Sequence, residues 1–224
     1  MSHLKSILTA LLCLCATALG SAAAAGPIRV ACVGDSITYG YLLKHPATES
    51  YPADLGRILG SGYDVGNFGV SATTLLKDGD YTYWKRKALV HADAFAPSIV
   101  VIMLGTNDSK PYNWARRADF ARDAAAMIEH FQSLPSKPKV YVCLAVPVFK
   151  NRYGINEEHL AKFRAIWREV AGEHGAGIID ARTPFIGKES LFCDGVHPTV
   201  EGAKLLARTV ANGILGTSAA APKP

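Results

Sequence analysis

In Ile28-Arg29-Val30-Ala31-Cys32-Val33-Gly34-Asp35-Ser36 a run of small and β-branched apolar residues ends abruptly at Gly-Asp-Ser. Such a run, apolar with little alternation, reads as a strand buried on both faces. Four further runs of the same kind occupy residues 63–68, 98–104, 139–146 and 177–179. The stretches between them change period. Residues 52–59, behind Ser50 as N-cap, carry Leu55, Ile58 and Leu59 on one side; 114–134 space Phe120, Ala124, Met127, Ile128 and Phe131 by threes and fours; 158–174 do the same with Leu160, Phe163, Ile166, Trp167 and Val170; 200–215 form a last amphipathic segment. Strands alternating with helices predict an α/β fold, a mainly parallel five-stranded sheet covered on both faces. Ligands in such sheets gather at the carboxyl ends of the strands. Gly34-Asp35-Ser36, Asn67-Phe68-Gly69 and Gly105-Thr106-Asn107-Asp108 all fall there, after the first, second and third strands.

The chain has 224 residues, 49% of them hydrophobic, which suits one well-buried domain, expected over 26–216. Residues 1–25 read as a removed export signal: Lys5, an apolar stretch over 7–19, then Gly20-Ser21-Ala22-Ala23-Ala24-Ala25. The stretch is shorter than the roughly 20 residues that span a membrane. The expected location is therefore secreted or periplasmic, with no membrane association after signal removal. Residues 217–224, rich in Ala and Pro, are expected to be a disordered tail. Without the signal, Cys32, Cys143 and Cys193 remain, an odd number. Cys32 and Cys143 sit in apolar strands and are expected to be buried small hydrophobes, as is Cys193, although its place beside Asp194 brings it near the chemistry. The net charge of +5 is dispersed, with short clusters at Lys85-Arg86-Lys87 and Arg116-Arg117. That pattern excludes a continuous nucleic-acid surface. His45, His91, His130, His159 and His174 stand at no ligand-like spacing, and no metal is expected.

Ser36 is the candidate nucleophile. A serine hydroxyl needs a base beside it, and a strand-to-helix turn presents the oxygen with helix amides behind it. His197, in Asp194-Gly195-Val196-His197-Pro198, is the candidate base, and Asp194, three residues earlier, reaches its other ring nitrogen from one local turn. Gly69 and Asn107 offer a backbone N–H and a side-chain amide to a developing oxyanion. Taken singly, each has a plainer reading: Ser36 as a helix cap, Gly69 as a turn glycine, Asn107 bonded to local backbone. The second glycine of G-x-S-x-G is missing from Gly34-Asp35-Ser36-Ile37-Thr38, which argues against an α/β-hydrolase.

Taken together and in this order, the four blocks resemble those of the SGNH (GDSL) hydrolase superfamily, from about residue 28 to about residue 215. The resemblance implies a three-layer α/β/α sandwich similar to flavodoxin, with neither cofactor nor metal. It implies Ser36 as nucleophile, Asp194 and His197 completing a triad, and an oxyanion hole from the Ser36 amide, the Gly69 amide and the Asn107 side chain. One departure lies in Gly69-Val70-Ser71-Ala72-Thr73-Thr74, where Ala72 follows the serine and many relatives carry a further glycine.

The segments around Tyr39-Gly40-Tyr41, Ser50-Tyr51-Pro52 and Asp80-Tyr81-Thr82-Tyr83-Trp84 resemble the exported carbohydrate esterases of that superfamily, including sialate O-acetylesterase-like proteins. The resemblance implies hydrolysis of O-acetyl or other short-chain acyl esters of carbohydrates through an acyl-enzyme on Ser36. A lysophospholipase, thioesterase or platelet-activating-factor-acetylhydrolase-like enzyme with the same triad is the alternative, and a non-catalytic carbohydrate-binding protein a further one. Asp35, Asp108 and Trp84 are expected to touch the substrate. Tyr81, Tyr83 and Trp84 offer flat faces to a sugar ring, though Trp84 reads equally well as part of the core face of the next helix.

Overall fold

The computed structural model describes residues 26–217; the expected signal peptide and residues 218–224 of the expected tail lie outside them. Five strands, β1 (Ile28–Gly34), β2 (Tyr63–Gly69), β3 (Ile99–Met103), β4 (Lys139–Leu144) and β5 (Gly177–Asp180), form one sheet in the order β2-β1-β3-β4-β5. Every neighbouring pair is parallel. Eight helices connect them: α1 (Ser36–Tyr39), α2 (Pro46–Glu49), α3 (Tyr51–Leu59), α4 (Lys87–Ala94), α5 (Pro111–Trp114), α6 (Phe120–Gln132), α7 (Glu157–Glu173) and α8 (Val200–Leu215).

The two-residue period of each strand divides the interior into two cores. Val30, Cys32, Val101, Met103, Tyr141 and Cys143 point to one face, where Leu55 of α3 and Leu206 and Val210 of α8 meet them. Ala31, Val33, Val100, Ile102, Val140 and Val142 point to the other, against Leu89 of α4, Met127 and Phe131 of α6, and Phe163 and Trp167 of α7. The result is the expected α/β/α sandwich. Cys32 and Cys143 are buried free thiols within it.

The first strand sits between the second and third, so the connections leave it in opposite directions and their loops part at its carboxyl end. That parting is the crevice where such sheets bind ligands. Packing fixes the third strand's exit as well. The Trp167 indole donates to the Leu104 carbonyl at 2.9 Å, and its ring meets Phe120, which stacks on Phe163 at 4.0 Å between centroids. The chain is thus anchored immediately before Gly105-Thr106-Asn107.

One helix differs from expectation. Residues 114–134 do not form a single helix: α5 ends at Trp114, a 3-10 turn covers Arg117–Asp119, and α6 begins at Phe120. Trp114 stacks on His159 of α7 at 3.8 Å with an interplanar angle of 4° and meets Phe163 at 5.2 Å, so it joins the same core as Phe120 from a separate short helix.

Candidate active site

α1 starts where β1 stops. The Asp35 side chain caps it, Oδ1 accepting the Ile37 amide at 2.9 Å, and Ser36 becomes the first helical residue, buried but open to a cleft. The Ser36 amide meets no acceptor among the described residues. Ser36 Oγ lies 2.9 Å from His197 Nε2, and His197 Nδ1 lies 2.9 Å from Asp194 Oδ2. Asp194 Oδ1 accepts the amides of Val196 and His197 at 2.9 and 2.8 Å. Burial pushes this carboxyl up, but those two amides and the imidazole outweigh it and hold it at about 2. Beside an ionised carboxylate, Nδ1 carries the proton, so Nε2 is the acceptor for the serine O–H. The turn needs Gly195, at φ +84°, where a Cβ would press on Lys150.

The oxyanion donors require a correction. Gly69 does not line the cleft, and its N–H is spent on Asn67 Oδ1 at 2.9 Å. Its missing side chain serves a close approach instead: a Cβ there would run into the Thr38 and Tyr39 backbone. The cleft is lined instead by Ala72, whose amide meets no acceptor among the described residues. Ala72 adopts φ +68°, keeping a left-handed turn despite its methyl. Asn107 does line the cleft; one of its side-chain N–H groups holds the Thr73 carbonyl at 3.1 Å, leaving the second for a ligand.

The three expected substrate contacts also lie elsewhere. Asp35 and Asp108 have no exposed surface. Asp108 takes the Leu75 and Leu76 amides on its two oxygens at 3.0 and 2.8 Å, which fastens the segment carrying Ala72 to the segment carrying Asn107. Burial lifts the Asp108 carboxyl to about 7, and Asp35 is also raised, first by burial. Trp84 packs against the core beside α4 and α6 and donates to the Leu75 carbonyl at 2.8 Å. Tyr83 is buried, its hydroxyl on the Phe68 carbonyl at 2.7 Å, and Tyr81 is covered by the Arg86 guanidinium. Cys193 is exposed, not packed.

Five residues of the cleft wall carried no expected role: Tyr41, Ser71, Lys110, Tyr153 and Ile155. The last two arrive on the loop after β4. The carboxyl-end rule applies to that loop as to the first three, and Asn151-Arg152-Tyr153-Gly154 was its legible turn signal.

Comparison with known proteins fits this arrangement. The family model described as GDSL-like lipase/acylhydrolase matches residues 32–205. The chain belongs to this family. An acetylxylan esterase of Xylanibacter ruminicola is 39% identical over 206 residues, covering 84% of this GDSL chain and 43% of that protein. Among solved structures, Est24, a carbohydrate acetylesterase from Sinorhizobium meliloti, superposes with a TM-score of 0.68 at 21% identity, covering 84% of this chain and 98% of that one. Axe2, an acetylxylan esterase from Geobacillus stearothermophilus, gives 0.65 at 18% identity, covering 84% and 95%. At these identities, the two structures speak for the GDSL fold. Among the described residues, no helix is long and apolar enough to cross a membrane.

Proposed function

We propose that the protein removes acetyl groups from O-acetylated carbohydrates through an acetyl-enzyme on Ser36. The unbroken line Ser36 Oγ, His197, Asp194 at the foot of a cleft carries this reading. Oγ adds to the ester carbonyl while its proton passes to Nε2, and Asp194 stabilises the imidazolium. The carbonyl oxygen, now negative, meets the Ser36 and Ala72 amides and the free N–H of Asn107. Collapse breaks the C–O bond to the sugar, whose oxygen takes the proton from Nε2. Water repeats the sequence, giving up its proton to Nε2, and acetate leaves as Ser36 recovers its hydrogen.

The short acyl group and the polar alcohol have separate support. The cleft is small, about 240 Å³, and joins the polar groups of Ser36, Asn107 and His197 to apolar surface that includes Tyr41, Ala72, Tyr153 and Ile155. A space of this size seats a short acyl group more readily than a long alkyl chain. The acetylxylan esterase similar to this chain acts on an acetylated glycan by its name. Export, read from residues 1–25, belongs to the same proposal: the exported protein is expected to begin at residue 26, which N-terminal sequencing of the secreted or periplasmic fraction checks.

The deciding assay is acetate release from acetylated xylan and from an O-acetylated sialic acid, with p-nitrophenyl acetate as control and Ser36→Ala beside the parent. Release from a glycan that disappears in Ser36→Ala is the expected result. Cleavage of the nitrophenyl ester alone rejects the carbohydrate assignment and leaves the triad standing.

A further inference from the structure

Of the expected aromatic platform, Tyr83 and Trp84 are absorbed by the fold and Tyr81, though 42% exposed, lies under the Arg86 guanidinium and does not line the cleft, yet two tyrosines that carried no expected role stand at its mouth. Tyr41 is 40% exposed and Tyr153 is 54% exposed. Both approach His197, with ring centroids at 4.9 and 5.8 Å and interplanar angles of 66° and 63°, so neither lies flat on the imidazole. Each lies on a different loop, Tyr41 on the one after α1 and Tyr153 on the one after β4.

Backbone strain marks the same two places. Five non-glycine residues take a positive φ among those described: Leu42 at 71°, Ala72 at 68°, Ala96 at 47°, Lys137 at 48° and Tyr153 at 57°. Two of them line the cleft, and a third directly follows Tyr41. A bulky L-residue in that region is disfavoured and persists where the surroundings impose it, which is commonest at functional sites. Tyr153 is followed by Gly154 at φ +77°, a left-handed pair that seats the turn against Lys110 and Pro111. An exposed tyrosine held in this way serves neither core packing nor solubility. An aromatic face offered to solvent beside a catalytic histidine suits the apolar C–H face of a pyranose, which combines flat hydrocarbon with a hydroxylated edge.

We propose that Tyr41 and Tyr153 form the sugar-binding mouth of this enzyme, two aromatic walls flanking His197 that hold the pyranose ring bearing the ester. The assignment rests on the carbohydrate reading above and locates the specificity in the two rings. Their hydroxyls are not required for stacking. That point separates the assignment from a supporting role toward Asp194, which lies close enough to the Tyr153 phenol to help raise it, after burial.

The test uses the whole protein and two probes, acetylated xylo-oligosaccharides and p-nitrophenyl acetate, with kcat and KM measured for Tyr41→Ala, Tyr153→Ala, Tyr41→Phe and Tyr153→Phe. The alanine variants are expected to lower kcat/KM for the oligosaccharide at least about tenfold more than for the nitrophenyl ester, mainly through KM, while the phenylalanine variants keep the parent's ratio. A parallel fall on both probes overturns the proposal, because the rings would then be holding His197. An unmoved ratio overturns it too, as does a Tyr153→Phe variant as impaired as Tyr153→Ala. If the parent turns over the nitrophenyl ester and releases no acetate from the oligosaccharide, the carbohydrate reading fails first and the mouth assignment falls with it. Circular dichroism of each variant confirms that the comparison is made on folded protein.

Discussion

On the floor of the cleft, Ser36, Asn107 and His197 are almost completely buried, and fixed hydrogen bonds surround them: Asp35 on the Ile37 amide, Asp108 on Leu75 and Leu76, Asn107 on Thr73, Asp194 on three N–H groups. At the mouth, Tyr41 and Tyr153 are exposed and are placed by backbone turns rather than by burial. In the proposed reaction the floor keeps dipoles aimed at a charge that exists only transiently, and reorientation at that moment would cost most of what they supply. In the same proposal the mouth accepts and releases the substrate, so shape matters there more than fixed polarity.

If the floor is the catalytic part, its substitutions should act on turnover the more strongly the closer they lie to the reacting atoms. Ser36→Ala is expected to reduce kcat by at least about 10⁴-fold on every ester while the fold is kept, and His197→Ala by a similar amount. Retained activity in steady-state assays of either variant breaks the contrast at its centre. Asn107→Ala should lower kcat by about 10² to 10³-fold with little change in KM; a loss confined to KM would move Asn107 from the floor to the mouth.

Smaller effects sharpen the picture. Asp108→Asn keeps the shape but turns one acceptor into a donor facing an amide, so a thermal or urea melt should show a loss of about 2 kcal/mol, with kcat falling as the Ala72 segment loosens. Unchanged kcat at unchanged stability would show that this carboxylate does not position the segment. Acid should act through Asp194, whose folded pKa lies near 2 against an ordinary value of 3.8. A depressed carboxyl stabilises the fold above its unfolded pKa and loses that contribution as pH falls through the folded one. Denaturation curves between pH 4 and 2 should therefore show about 2 kcal/mol less loss in Asp194→Asn than in the parent. Ala72→Gly relieves a left-handed alanine and should raise stability by about 1 kcal/mol in the same melts. A loss of stability there would mean that the Ala72 methyl makes contacts worth more than the strain.

Most of the frame was legible because its causes are local. Strand and helix periods follow from which residues are apolar and how far apart they stand, and the Asp194-x-x-His197 pair closes within one turn. The long helix over 114–134 was misread because Trp114 packs on the same core as the stripe begun by Phe120, so the apolar pattern runs unbroken across the turn that separates α5 from α6. Gly69 was misassigned for a similar reason. Whether an amide faces a ligand depends on what else accepts its hydrogen, and Asn67, two residues away with its own side chain held by Thr38, had already taken it.

The amino-acid sequence by itself therefore determined the parallel sheet, the two apolar faces, and the choice of serine, histidine and aspartate as the candidate reacting set, since these depend on short-range patterning and on chemistry that few residue types possess. Tertiary structure decided which amide opens to the cleft, that Asp108 braces a loop, that Trp84 belongs to the core, and that Tyr41 and Tyr153 both stand beside His197. Those choices depend on how loops from different strands share the carboxyl edge of one sheet, where a polar group's role is set by whichever partner reaches it.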